Sequence, residues 1–238
     1  PALEQKFLAI VDQLNRKPIP ITLTIPSSKK EIAGKLDGNT FLSGVLPYLA
    51  RPYSGESARG SSLPKFIHAA SQGDFGWVAA KLSEALESDD SAEEMYHTVL
   101  CARAKSVKFT PSEVLPPAYP QIVPWGIREA EAVTKVCAIL QAKLKPPFVN
   151  GNPEIPTLVL NGAYDPVTPQ PYGEAVARNL ETAYVYTFPG VGHGSLILPP
   201  KMPAGACATR IAASFLADPK QTPDSRCLAE IKPAFVVE

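Results

Sequence analysis

Leu3, Phe7, Ile10, Val11 and Leu14 recur at three- and four-residue intervals, the spacing that lines one face of a helix. Pro18 and Pro20 close that segment. Ile21 to Ile25 then alternates apolar and polar positions as a strand does. Lys30 to Asn39 reads as a second strand and turn, with Asp37-Gly38-Asn39 as the turn signal, so a small β-hairpin is predicted. From Thr40 to Leu86 the period is helical again, broken by Arg51 to Pro64, a stretch rich in Gly, Ser and Pro. Glu84 to Glu94 reads as a solvated helix end and loop, and Met95 to Ala104 as a further helix. Pro111 to Pro124 is a proline-rich connection, and residues 127 to 144 form a longer amphipathic helix. After Pro146 the pattern changes. Thr157 to Asn161 is a short, unbroken apolar run that suits a strand covered on both faces. A helix over Tyr172 to Leu180, a strand over Ala183 to Phe188 and a helix over 206 to 217 follow. Strand, helix, strand at this spacing predicts a βαβ unit with parallel strands and a right-handed crossover. Two such strands make an incomplete sheet. The fold class is therefore α/β, with a mostly helical first part (1–148) and an α/β second part (149–238).

Bulk properties narrow the partners. Lys+Arg and Asp+Glu both number 23, and this balance argues against nucleic acid or an anionic membrane surface as partner. No apolar run reaches the roughly 18 to 20 residues of a membrane span. Lys6, Asp12, Arg16 and Lys17 interrupt the apolar positions of the first segment, which is unlike a signal peptide. The 26 prolines are spread along the chain and point to many short loops. Cys101, Cys137, Cys207 and Cys227 include no C-x-x-C pair, which argues against zinc and thioredoxin-like chemistry. They allow three disulfide pairings, or four buried free thiols. The local pairing, Cys101 with Cys137 and Cys207 with Cys227, is the expectation; closing a loop of about 20 residues would be worth roughly 3 kcal/mol.

The candidate chemistry sits in the α/β part. Directly after its first strand comes Gly162-Ala163-Tyr164-Asp165-Pro166-Val167-Thr168-Pro169, and after its second Gly190-Val191-Gly192-His193-Gly194. A carboxylate just past one parallel strand and a histidine just past the next face one crevice. Such a pair does acid–base work: the carboxylate fixes the imidazole tautomer, and the other ring nitrogen takes a proton from a nucleophile. Taken singly, Asp165 is an ordinary turn residue before proline and His193 an ordinary loop histidine; together, in this order, they read as catalytic. His68 and His97 read as packed or surface histidines. Trp77, Trp125 and Tyr164 are candidates to line a substrate pocket, with core packing as the ordinary reading.

The run from Ile155 to Pro169, followed by Phe188-Pro189-Gly190-Val191-Gly192-His193-Gly194, resembles the C-terminal signature of α/β-hydrolases. More closely it resembles their secreted tripeptidyl-aminopeptidase and proline-iminopeptidase-like branch. Cys207 to Cys227, with Phe215 to Pro219 between, resembles that branch's closing segment; Ala69 to Asp74 and Val99 to Cys101 resemble its cap. The resemblance implies a partial α/β-hydrolase fold, comprising the last βαβ and terminal helix of the sheet domain, with residues 1–148 as a helical cap. It implies a serine peptidase acting on a peptide or small acyl substrate, secreted or periplasmic, with no cofactor and no metal. Asp165 and His193 would be its catalytic acid and base, and Tyr164, Arg103 and Trp125 would contact substrate. The family's nucleophile lies in G-x-S-x-G on an earlier strand. The near match Gly55-Glu56-Ser57-Ala58-Arg59-Gly60 has Arg59 at the second glycine and neither a strand before it nor a helix after it. The nucleophile is therefore expected on an upstream N-terminal segment, the chain's expected partner. Arg103 stands where the branch carries an acid for the substrate's amino group, which favours an esterase over a strict aminopeptidase. A non-catalytic binding or assembly module is the alternative.

Overall fold

The computed structural model describes residues 2–50, 62–87, 93–104, 119–140, 154–233 and 235. The chain divides into two compact units. The first comprises Pro1–Val45 and Ala69–Val149, the second Leu46–His68 and Asn150–Glu238. The second unit thus takes in Leu46–His68 from within the span read as cap.

In the first unit, helix α1 (Ala2–Arg16) buries Ile10, Val11 and Leu14. Strands β1 (Ile19–Thr24) and β2 (Glu31–Leu36) pair antiparallel, from Ile19 opposite Leu36 to Thr24 opposite Glu31. The hairpin turns at 25–30, where the Ile25 N–H donates to the Lys30 carbonyl and Lys29 adopts φ 56°. Asp37-Gly38-Asn39, expected as a turn, instead starts helix α2 (Gly38–Ala50). Asp37 Oδ1 accepts the Thr40 N–H at 2.7 Å, which is N-cap geometry. Burial pushes the Asp37 carboxyl up, but bonds from the Thr40 N–H and hydroxyl and the charge of Arg128 outweigh it and hold it below its ordinary value.

Phe41 of α2 is wholly buried and meets the rings of Phe7, Phe75 and Trp77 at 5.9 to 6.2 Å. Burying one such side chain is worth about 3 kcal/mol. Helix α3 (Leu63–Ser71), which belongs to the second unit up to His68, does not run on to Leu86 as its period suggested. The Asp74 N–H bonds the Ala69 carbonyl and the Gly73 N–H that of Ala70, with Gly73 at φ 93°. That is a Schellman stop, and glycine fits the left-handed residue it needs. Helices α4 (Gly76–Ala85), α5 (Glu93–Ala104) and α6 (Val123–Leu140) complete the unit. The Cys101–Cys137 disulfide joins α5 to α6.

In the second unit, β3 (Thr157–Gly162) and β4 (Ala183–Phe188) pair in parallel, from Thr157 opposite Ala183 to Gly162 opposite Phe188. Helix α7 (Gln170–Ala177) links them, and α8 (Pro203–Ala217) follows. Leu158, Leu160 and Tyr186 pack on a core of Phe188, Val191, Leu198, Ala208 and Ile211. Val159 points the opposite way, as strand alternation requires, and lies beneath Gly173 of α7. Apolar cover on both faces explains why the run 157–161 does not alternate. Cys227 is bonded to Cys207 of α8, so Ile231 beyond it stays in the core.

Candidate active site

The β3–β4 ladder does not stop at the strand ends. The Ala163 N–H donates to the Phe188 carbonyl at 3.0 Å and the Tyr164 N–H to that of Val191 at 2.9 Å. These bonds zip together the two loops that follow the strands. Gly162 makes the fit possible, because a Cβ there would meet the carbonyl oxygens of Gly192 and Val191. The His193 N–H donates to the carbonyl of Ala50, the last residue of α2, at 2.9 Å. Gly194 then turns the chain at φ 86° into a short 3-10 helix, Ser195–Ile197.

The result is a carboxylate–imidazole pair. His193 Nδ1 lies 3.0 Å from Asp165 Oδ2 and 3.2 Å from Oδ1. Asp165 also accepts the Val167 N–H at 2.8 Å, the Thr168 N–H at 2.9 Å and the Thr168 hydroxyl at 2.7 Å. Burial pushes the Asp165 carboxyl up, but these donors and His193 together hold it below its ordinary value. Asp165 is therefore ionised at neutral pH and can only accept hydrogen bonds. That places the neutral ring's proton on Nδ1 and leaves Nε2 as the basic nitrogen. Asp165 is buried, at 8% exposure, whereas the His193 side chain is 46% exposed. Among the described residues Nε2 has no hydrogen-bond partner.

The other sequence candidates are distributed as follows. Tyr164, half exposed, adjoins Asp165, and its ring lies 6.5 Å from that of Phe235. Trp125 belongs to the first unit, where its indole N–H donates to Ser43 Oγ at 3.0 Å. Trp77 is in the same unit, edge-on to Phe41. Arg103 lies on α5 of that unit, but its side chain is outside the described residues, as is Ser57. His97 packs edge-on against Tyr96. Thr168 is the residue that sequence reasoning missed. Its signal was the Asp-x-x-Thr spacing of a turn in which the aspartate caps the backbone that follows.

The segment after Cys227 braces the histidine loop. Pro233 lies where a Cβ on Gly190 would meet it at 2.8 Å, and Ile231 packs in the same core as Val191. Among the described residues no group of His, Cys, Asp or Glu could hold a metal ion, and no helix is long and apolar enough to cross a membrane.

Residues 121–227, which include both Asp165 and His193, match the family described as TAP-like protein. That match, over less than half of the chain, supports a TAP-like α/β-hydrolase C-terminal portion. No curated protein and no solved structure matches it. The TAP-like match supports a hydrolase of α/β-hydrolase type, and the small sheets and many helices fit a partial α/β-hydrolase fold with a helical cap.

Proposed function

We propose that this chain supplies the acid–base half of a serine peptidase of the TAP-like kind, with the serine on a segment upstream of these residues. The observation that carries the reading is the 3.0 Å contact between Asp165 and His193 Nδ1, with Nε2 left basic. In the reaction, Nε2 takes the serine hydroxyl proton as its oxygen attacks the substrate carbonyl. Asp165 stabilises the imidazolium so formed. The tetrahedral intermediate collapses, and the imidazolium gives its proton to the leaving amine. Water then repeats the sequence to release the acid from the acyl-enzyme. No metal or cofactor takes part in this scheme. The substrate is a peptide or small acyl compound, and the two disulfides favour a secreted or periplasmic setting.

Arg103 motivates a second reading, an esterase, because a cation repels the α-ammonium of a peptide N-terminus. Comparing turnover of one acyl group as its ester and as its N-terminally free peptide separates the two.

The test of the main reading is His193→Ala and Asp165→Asn in the complete protein. Asp165→Asn should lower kcat by about 10⁴-fold and His193→Ala by about 10⁶-fold, and a fluorophosphonate probe on the unsubstituted complete protein should label a serine upstream of these residues. Undiminished turnover in either variant would refute it. A complete protein that neither turns over nor labels would favour a binding or assembly module instead.

A further inference from the structure

We propose that Thr168 is a positioning residue for the His193 imidazole, its hydroxyl holding the Nδ1–H edge of the ring against Asp165. The inference rests on the function proposed above, since it concerns the same pair. Thr168 Oγ1 lies 2.7 Å from Asp165 Oδ2 and 3.2 Å from His193 Nδ1. An ionised carboxylate only accepts, so the short contact commits the hydroxyl proton to Oδ2. The lone pairs that remain on Oγ1 are acceptors, and Nδ1–H is within their reach. That N–H therefore meets three oxygens: Asp165 Oδ2 at 3.0 Å, Asp165 Oδ1 at 3.2 Å and Thr168 Oγ1 at 3.2 Å.

A ring held by a carboxylate alone can slide between its two oxygens. A hydroxyl fixed to Oδ2 makes that side the deeper, and the ring does sit closer to Oδ2. Thr168 is itself fixed at two points. Its N–H bonds Asp165 Oδ1 at 2.9 Å, and its branched Cβ is stiff at χ1. Pro166 and Pro169 hold φ on either side of this turn. The hydroxyl thus reaches the ring with little freedom left to lose. Thr168 is exposed, so water competes for both its bonds and the effect is modest.

The test reads the ring itself and needs no turnover. In the complete protein, labelled with ¹⁵N-histidine, the exchange rate of the His193 Nδ1 proton with water is measured by NMR. Thr168→Val keeps the shape and removes the hydroxyl; it should speed exchange by about 3- to 10-fold, the worth of one such hydrogen bond. Thr168→Ser should restore the wild-type rate, which a merely structural role for the threonine would not require. Thr168→Ala is the second hydroxyl-free variant should valine disturb the fold. Equal rates in wild type and in the hydroxyl-free variants would overturn the inference, as would the absence of a slowed Nδ1 proton in the wild type. A hydroxyl-dependent proton in a protein whose His193→Ala variant keeps full turnover would sink the proposed function and leave Thr168's role standing. An active enzyme whose proton ignores Thr168 would do the reverse.

Discussion

Replacing Gly162 by alanine tests whether the histidine loop is seated on the end of β3. The new methyl carbon would lie 2.5 Å from the Val191 carbonyl oxygen and closer still to that of Gly192. Both obstacles are backbone, so no side-chain rotation relieves them. Ordinary contact for such a carbon begins at 3.4 Å, so the loop must lift by at least about 0.9 Å, and further at Gly192. Lifting stretches the 2.9 Å bond from the Tyr164 N–H to the Val191 carbonyl. It also draws His193 from Asp165: a lift of that size along the contact takes 3.0 Å to about 3.9 Å, beyond hydrogen bonding. Overpacking costs about 1–3 kcal/mol and a weakened backbone bond about 1 more, so stability should fall by about 2–4 kcal/mol. Urea denaturation measures that loss, and the His193 Nδ1 proton reports the ring. A variant within about 0.5 kcal/mol of wild type, with its Nδ1 proton unmoved, would refute the idea that the strand end seats the loop.

Two further perturbations have calculable outcomes. Cys207→Ala with Cys227→Ala opens a bridge of sequence separation 20, and should lower stability by about 3 kcal/mol; an unchanged urea midpoint would contradict this. Asp37 and Asp165 are both held below the ordinary carboxylate value, so the unfolded chain takes up their protons first as pH falls. Their contribution is complete above the unfolded value of about 3.9 and is lost as pH drops through the lower folded values. Asp37→Asn and Asp165→Asn should each flatten the fall of stability below about pH 4, and an undiminished slope in the double variant would count against it.

The parallel strands were legible because a residue covered on both faces must be apolar whatever its parity, and 157–161 shows that directly. Asp165 and His193 were legible because the chain leaves parallel strands at one end of the sheet, so the first polar residues past each strand meet. Asp37 misled because a turn and an N-cap use the same chemistry, a side-chain oxygen accepting a nearby N–H. Only the length of the helix that follows tells them apart. The stop at Gly73 was hidden by apolar periodicity that continues on both sides of it. The grouping of Leu46–His68 with the second unit depends on contacts such as the His193 N–H to the Ala50 carbonyl, between residues far apart in sequence. No local pattern encodes these. Thr168 went unread because its role depends on where the ring of a residue 25 positions away comes to rest.

Each cystine closes within its own unit: Cys101 and Cys137 in the first, Cys207 and Cys227 in the second. Four thiols have three ways to pair, and both of the others would tie one unit to the other twice over. Oxidative maturation can therefore proceed in each unit without waiting for its neighbour. An isomerase is needed only to undo cross-links between units, never to sort alternatives within one. Scrambled species all carry inter-unit bridges, so non-reducing electrophoresis after cleavage between Cys137 and Cys207 distinguishes them at once. The native form falls into two pieces on denaturation, and every misoxidised form stays as one.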